Sequence, residues 1–383
     1  ALTGLVLTVV GVAFWVAVGV FGVSFGGSDE VPSIAIIPFE NKGADEDEFY
    51  AYSISSELIS DVAGAGLIRV ASIRDIEKLD YTTLNNSELS EKLLVRYIAQ
   101  GTLWKVDSVF QLSMELYDTK SSKVLWSDSW QKEWNELTSI KGNLADNILK
   151  TLKVSTKQDI VKAPTTNTEA YEYYLRANYI YDKRENMKDT EIARGLYRKA
   201  IELDDNLILA KDLLGWSYEA ELDLEHAFVI YNDNLNQAEE IGDKRGMAKS
   251  LHHLSSIYDL QGNREKRFDC ATRSFDIFNE LGDKAGIAST QKSLSWYFMD
   301  KNDFDSALDY LTSALKIQED IDDKWEMRFT LYSFGSLYSR KGDYEKSLNY
   351  FTRTLEIRKE IGDKWGIGNA LGEIGFINYI KGD

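Results

Sequence analysis

Cysteine and histidine are nearly missing from this chain. Cys270 is the only cysteine among 383 residues, so no disulfide can form within the chain, and the redox compartment stays undecided. Of the three histidines, His252 and His253 are adjacent on a predicted helix, where their side chains diverge by about 100° and cannot readily share a metal ion. The sequence contains no glycine-rich phosphate loop, no paired cysteine ligands and no His-x-x-x-His motif. We therefore expect no catalytic residue, no cofactor and no metal site.

Basic residues are also scarce. Lysine and arginine number 44, against 62 aspartates and glutamates, which gives a formal net charge of −18. Proteins that bind nucleic acid or anionic lipid surfaces carry an excess of positive charge, because the phosphates that they neutralise are negative. The charge balance therefore argues against nucleic acid as a partner of this chain.

Charged residues are absent from the first 28 positions. About 25 apolar residues form roughly 38 Å of helix, enough to cross a hydrocarbon core of about 30 Å. A cleaved signal peptide is the rival interpretation, with Ser24-Phe25-Gly26 as the cleavage site, but such peptides have a basic start and a shorter apolar stretch. We predict a transmembrane helix at residues 1–28, with residues 1–25 in the membrane.

The residues that follow this predicted helix indicate its orientation. Asp29 and Glu30 come directly after it, and the first basic residue is Lys42. The positive-inside rule therefore does not favour the cytoplasm for this side. We expect a single-pass membrane protein whose soluble part is extracytoplasmic, that is, periplasmic. The glycine spacing in the helix gives no clean small-xxx-small seam, so homodimerisation stays open.

One four-residue phrase recurs every 40 residues in the second half of the chain. Its copies are Ile241-Gly242-Asp243-Lys244, Leu281-Gly282-Asp283-Lys284, Ile321-Asp322-Asp323-Lys324 and Ile361-Gly362-Asp363-Lys364. A fixed period of this length is typical of a solenoid, whose units bury apolar surface against their neighbours. Between the phrases, two segments with helical spacing flank a turn, which predicts a helical hairpin. The glycine suits a left-handed helix end, and the aspartate can cap the next helix.

These repeats resemble the tetratricopeptide (TPR) family, in particular the form with about 40 residues per repeat found in kinesin light chains and in adaptors of heterotrimeric G proteins. A first unit with Ala193, Tyr197 and Ala200 is closer to the standard 34-residue form. The resemblance implies an all-α TPR solenoid over residues 168–383, with about five repeats and one helix of a sixth, in a truncated chain. Arg267 stands where other units have a small residue, so we expect the third hairpin to pack less tightly.

Residues 29–154 have the pattern of a small α/β domain with a mixed sheet. Residues 33–39 are an apolar run ended by Pro38, which predicts a buried strand, and residues 49–62 have helical spacing. From Tyr97 onward apolar and polar residues alternate, which predicts antiparallel hairpins. Helical spacing returns after Leu137, and residues 155–167 have the composition of a linker.

This segment resembles the TolB N-terminal-like domain that stands between a membrane helix and TPR repeats in bacterial signalling proteins. The similarity rests on residues 33–41, 48–59 and 95–101, and on Leu116-Tyr117-Asp118 followed by Leu125-Trp126-Ser127. The resemblance transfers no catalytic residue to this chain. It implies a cytoplasmic domain upstream, because relatives with this layout are often the C-terminal halves of adenylate cyclases, receptor serine/threonine kinases or winged-helix regulators.

The position after the Leu-Gly step of each predicted first helix alternates between large aromatic residues and serine. In the TPR family this position faces the groove in which partners bind, and aromatic side chains there favour apolar or stacking contacts. The resemblance therefore implies a groove for a partner protein or peptide, formed by Trp216, Lys249, His252, Lys292, Trp296, Phe329, Tyr332 and Phe376. The alternative is that the tryptophans pack between repeats as core.

The interpretation that fits these patterns is a membrane-anchored, non-catalytic interaction or sensory module of a larger bacterial signalling protein. A first alternative is a fragment of an adenylate cyclase or serine/threonine kinase whose catalytic domain lies upstream. A second alternative is an envelope assembly scaffold without a signalling role. In each case we expect that this chain is not itself an enzyme.

Overall fold

The structure is a computed structural model that describes residues 31–66, 68–154 and 164–382. The transmembrane helix predicted for residues 1–28 and most of the predicted linker lie outside these residues. Within the described part of the chain, no helix combines the length and the apolar character of a membrane span. A small mixed sheet with helices comes first and a series of helical hairpins follows, which confirms the two predicted fold types.

The first half of the described chain alternates strands with short helices. Its elements are β1 (Ser33–Ile36), β2 (Glu40–Asn41), α1 (Glu48–Ala63), β3 (Arg69–Val70), α2 (Ile73–Glu77), α3 (Asn86–Leu93), β4 (Tyr97–Val106), β5 (Val109–Asp118), β6 (Lys123–Glu133) and α4 (Leu137–Thr151).

The sheet has the strand order β3-β1-β4-β5-β6, with β2 beside β4. β1 pairs in parallel with β3 and β4, whereas β4, β5 and β6 form an antiparallel meander. The alternation of apolar and polar residues in the sequence predicted this meander. In β5, Phe110, Leu112, Met114 and Leu116 are buried on one face, and the residues between them lie on the other face.

Helix α1 covers the buried face of the sheet. Ile54, Leu58 and Val62 recur on one side of the helix and belong to the same apolar core as the inward face of β5. α2 and α3 pack on the opposite face, over the parallel strands. The sequence analysis did not predict these two helices, although Asn85 and Glu88 form a capping box at the start of α3.

The second half of the described chain is all helical. It comprises α5 (Thr168–Lys183), α6 (Met187–Leu203), α7 (Ile208–Glu219), α8 (Leu224–Ile241), α9 (Lys244–Leu260), α10 (Arg264–Leu281), α11 (Lys284–Asp300), α12 (Phe304–Ile321), α13 (Lys324–Lys341), α14 (Tyr344–Ile361) and α15 (Lys364–Lys381). Successive pairs from α5–α6 to α13–α14 form hairpins, and α15 is the first helix of a further unit.

The repeated phrase forms the junctions between hairpins, as predicted. Gly242, Gly282 and Gly362 end their helices in the left-handed region, with φ of 76°, 73° and 77°. The aspartate that follows caps the next helix through its side chain; Asp283, for example, accepts a hydrogen bond of 2.9 Å from the Gly286 amide. One short phrase therefore both stops a helix and starts the next.

Arg267 does not leave a gap in the third hairpin. The residue is 4 % exposed, and its guanidinium extends to the carboxylates of Asp259 on α9 and Asp300 on α11. A long cation is tolerated at a small-residue position because its charged end reaches partners on both neighbouring first helices.

The sheet and the solenoid belong to one compact unit, Pro32–Asp383. α1 packs against α5, where the Ser53 hydroxyl donates a buried hydrogen bond of 2.8 Å to the Leu175 carbonyl. The Tyr171 hydroxyl donates to Glu57 Oε2 at 2.8 Å in the same interface. Two side chains that need partners on the opposite element thus align the two helices.

The sheet half touches the solenoid again, several repeats further along. The Arg245 guanidinium, at the start of α9, donates to the Gly64 carbonyl at 3.0 Å. The Arg74 guanidinium of α2 lies 4.6 Å from the ring centre of Trp325, at the start of α13. The loop between α1 and β3 and the following α2 therefore lie along the junctions that precede α9 and α13.

Candidate partner-binding groove

The eight predicted groove residues lie on the first helices of consecutive hairpins. Trp216 is on α7, Lys249 and His252 are on α9, Lys292 and Trp296 are on α11, Phe329 and Tyr332 are on α13, and Phe376 is on α15. Since equivalent positions recur every 40 residues, the repeat places them side by side. We call these eight residues, with the polar side chains that bind them, the first-helix strip.

The two ends of the strip expose aromatic side chains. Trp216 is 43 % exposed and Phe376 is 56 % exposed. The Trp216 ring lies 5.9 Å from the ring of His253 on the next first helix. Trp216 therefore presents apolar surface between two hairpins from which a bound partner could exclude water.

Ion pairs join neighbouring helices within the strip. Lys249 Nζ lies 3.2 Å from Asp212 Oδ2 on α7, and Lys292 Nζ lies 2.8 Å from Glu326 Oε2 on α13. The Lys292 ammonium also lies 4.8 Å from the ring centre of Phe329. The two lysines of the predicted groove thus have acidic partners before any ligand arrives.

His252 is held neutral. Burial, together with the nearby charges of His253 and Lys292, lowers the pKa of its imidazole to about 4. Its Nδ1 has no hydrogen-bond partner among the described residues. The side chain therefore behaves at neutral pH as an uncharged polar group.

The adjacent His253 has the opposite behaviour. Its Nδ1 lies 2.9 Å from Glu219 Oε2, and its ring stacks on Tyr231 with ring centres 4.5 Å apart. Burial alone lowers the pKa of His253, but the Glu219 carboxylate and the charge of Asp212 outweigh it, and the pKa lies above its usual value.

Trp296 and Tyr332 are anchored by hydrogen bonds. Trp296 Nε1 donates to Ser333 Oγ at 3.0 Å, and the ring packs against the apolar core between α11 and α13. The Tyr332 hydroxyl donates to Glu373 Oε1 on α15 at 2.7 Å. Trp296 is therefore more enclosed than Trp216, although the two hold equivalent positions.

The sequence analysis missed the acidic members of the strip. Asp212, Glu326 and Glu373 lie on the first helix of the hairpin before or after that of their partners, at separations of 37, 34 and 41 residues. The sequence did contain a signal for these contacts. Each acidic residue lies about one repeat length from a lysine or a tyrosine that it can pair with. The arrangement can hold an extended partner by apolar and polar contacts, and the described residues contain no group of side chains suited to a metal ion.

A match to a known protein family falls within the repeated hairpins. The tetratricopeptide repeat family model matches residues 330–364. Similar solved structures include a Rap protein complexed with competence and sporulation factor, 15% identical, covering 63% of this chain and 70% of that chain with a TM-score of 0.45. Another is a set of kinesin light chain TPR-like repeats from Podosopora anserina, 11% identical, covering 51% of this chain and 96% of that chain with a TM-score of 0.39.

The repeated hairpins form a helical solenoid, and the family match places one tetratricopeptide repeat within it, at residues 330–364. A curated relative from Rhizobium meliloti (strain 1021), named putative adenylate cyclase 3, is 20% identical over 184 residues. The match covers 47% of this chain and 31% of the relative, so it spans about a third of that protein's length.

Proposed function

We propose that this chain is a membrane-anchored, non-catalytic interaction module of a bacterial signalling protein, and that its first-helix strip binds a partner protein or peptide. The observation that carries this proposal is the exposed Trp216, which lies in the strip on the same helix as Asp212, the partner of Lys249. Large aromatic side chains supply much of the binding energy of interfaces, because they remove a large apolar area from water.

The paired charges of the strip support an apolar contribution to affinity. Lys249 and Lys292 already have carboxylate partners, so a ligand charge gains little unless it displaces Asp212 or Glu326. A partner that places apolar side chains near Trp216 keeps these ion pairs intact. Polar contacts to the strip then contribute to specificity more than to affinity.

Membrane attachment and sidedness are part of the same proposal. Residues 1–28 carry no charge, and Asp29 and Glu30 follow them, which favours an anchored chain with its soluble part in the periplasm. The sheet half then serves as a TolB N-terminal-like domain between anchor and solenoid. A catalytic or DNA-binding domain lies upstream in the cytoplasm, and signalling requires that a partner bind two states of the whole protein unequally.

Site-specific photo-crosslinking in cells tests the strip. A benzoylphenylalanine replacing Trp216 in the full chain should give a discrete covalent adduct with the partner. The same group at Val229, exposed on the second helix α8, is the matched control and should give none. Equal adducts from both positions, or none from Trp216, would contradict a partner site on the strip.

Fractionation and a reporter fusion test the anchor. The full chain should sediment with membranes, whereas a chain that begins at Asp29 should stay in the supernatant. A C-terminal reporter that works only outside the cytoplasm should be active. A reporter active only in the cytoplasm would reverse the proposed sidedness, and a full chain in the supernatant would remove the anchor.

The second candidate is that the chain is the non-catalytic portion of an adenylate cyclase. The similarity to putative adenylate cyclase 3 favours it over a kinase or an envelope scaffold, although it spans 31% of that protein. The reading frame upstream of Ala1 distinguishes these cases. A cyclase domain there supports this candidate, and a frame that starts within a few codons of Ala1 leaves a stand-alone anchored scaffold.

A further inference from the structure

A trough with a volume of about 820 Å³ lies on the sheet half, on the face opposite α1. Its floor is the antiparallel meander β4–β6, and its side is the segment that joins α2 to α3. The volume is that of a small-molecule site, for which about 300 to 1,000 Å³ is typical. The trough is separate from the first-helix strip, and the proposed partner binding does not use it.

The floor consists of two rows of polar side chains that cross the three strands. Strand register places them side by side as Gln100, Glu115 and Ser127 in one row and Thr102, Ser113 and Ser129 in the other. Gln100 Nε2 donates to Glu115 Oε1 at 2.6 Å, and the hydroxyls of Thr102 and Ser113 lie 2.8 Å apart. Small hydroxyl residues leave room above the sheet, where a row of large residues would fill it.

Three carboxylates line the trough, those of Glu40, Asp128 and Glu115, and Glu115 is the one on the middle strand β5 of the floor. Its hydrogen bond from the Gln100 amide leaves the negative charge in place, and no basic side chain of the described residues pairs with it. No lysine, arginine or histidine lines the trough. At the rim Glu40 pairs with Lys42, so that carboxylate is already compensated. The trough therefore attracts a cation and repels an anion.

The side of the trough is apolar. Leu84 and the half-buried Tyr81 line it, whereas Leu89 and Ile37 are 2 % and 7 % exposed and add little surface. An apolar wall next to a hydroxyl floor suits a ligand with a hydrocarbon or aromatic body and one polar end.

We propose that this trough binds a small organic cation whose primary ammonium group pairs with Glu115 and whose apolar body packs against Tyr81 and Leu84. The ammonium group donates three hydrogen bonds, and the carboxylate and nearby hydroxyls supply acceptors for them. Binding is non-covalent and adds a ligand site to the half of the molecule that packs against the solenoid through α1.

Isothermal titration calorimetry with three matched probes tests the proposal. The probes are 2-phenylethylamine, 2-phenylethanol and 3-phenylpropanoate, which share a phenyl body but carry a positive, a neutral and a negative end. The full chain should bind the amine saturably, the alcohol at least tenfold more weakly and the acid not at all. Failure of the amine to bind, or equal binding of the acid, would overturn the proposal.

Variants locate the binding site. Glu115→Gln keeps the shape and the contact with Gln100 but removes the charge, so the affinity for 2-phenylethylamine should fall at least tenfold. Glu91→Gln, an exposed glutamate of α3 outside the trough, is the matched control and should leave the affinity unchanged. Ser127→Trp, on the exposed edge strand, should abolish binding by filling the trough. Thermal melts verify folding, and full affinity in folded Glu115→Gln or Ser127→Trp would place the amine elsewhere and contradict the proposal.

Discussion

Arg69 of β3 and Asp322, at the junction between α12 and α13, form an ion pair across 253 residues of sequence. Arg69 Nε donates to Asp322 Oδ2 at 2.9 Å, and the terminal guanidinium nitrogen approaches the same oxygen. Asp322 replaces the glycine of the other three phrases, yet its φ is 53°, in the left-handed region that glycine prefers. The repeated phrase therefore lacks its glycine at one of the junctions where the solenoid contacts the sheet half.

Arg69→Ala and Asp322→Asn should show an energetic coupling of about 1 kcal/mol in a double-mutant cycle of unfolding free energies. Asparagine tolerates the left-handed conformation, so the variant removes the charge and leaves the junction's backbone intact. The control pair is Arg69→Ala with Asp305→Asn, since Asp305 is highly exposed and makes only a 3.8 Å contact with Lys341. A coupling as small as that of the control would mean that the ion pair does not hold the two halves together.

Gly335→Ala and Gly195→Ala should shift stability in opposite directions, although both glycines lie inside helices of the solenoid. A Cβ at Gly335 would lie 2.6 Å from the ring of Phe351, so overpacking should cost about 1 to 3 kcal/mol. A Cβ at the exposed Gly195 of α6 would meet no atom within 4 Å, so alanine should stabilise its helix by up to about 1 kcal/mol. Chemical denaturation measures both; a stabilising Gly335→Ala would show that α13 and α14 are not packed this closely.

Trp216→Ala and Trp296→Ala should differ in their effect on stability. Trp216 is substantially exposed, so we expect a loss below about 1 kcal/mol. Trp296 packs against the core and donates to Ser333, so its removal should cost about 3 kcal/mol. Thermal melts of the single variants provide the measurement. Equal losses would mean that both tryptophans serve the same role, as core or as binding surface.

His253→Gln should cost more stability at pH 6 than at pH 9. The pKa of His253 is raised above 6.5 in the folded chain, so its stabilising interaction with Glu219 is complete below that value and is lost as the pH rises through the folded pKa. The groups that face it are Glu219, Asp212 and Lys249, and the neighbouring His252 stays neutral at both pH values.

Urea unfolding of the wild type and of His253→Gln at the two pH values measures this difference. His226→Gln is a control, because His226 is exposed and lies at the start of α8, away from the strip. A cost of His253→Gln that is unchanged or larger at pH 9 would contradict the raised pKa.

The sequence by itself determined the repeated hairpins and the meander. Helical spacing, the left-handed glycine and the capping aspartate act within a few residues of one another, and strand alternation acts between neighbours, so each pattern is visible in one stretch of chain. α2 and α3 escaped prediction because α2 has only five residues and the apolar positions of α3 span two turns. Arg267 was misleading because its size was evident but its carboxylate partners on two other helices were not.

Only the tertiary structure decided which charges meet and where the two halves touch. The partners of Lys249 and Lys292 lie about a repeat away, and Arg69 and Asp322 are far apart in sequence, so their contacts depend on how the solenoid is wound. Trp216 is more exposed than Trp296 for the same reason. The two residues hold equivalent positions in their repeats, but the neighbouring side chains differ. Local sequence sets each element, whereas the burial and the charge partners of its side chains follow from long-range packing, which no local pattern encodes.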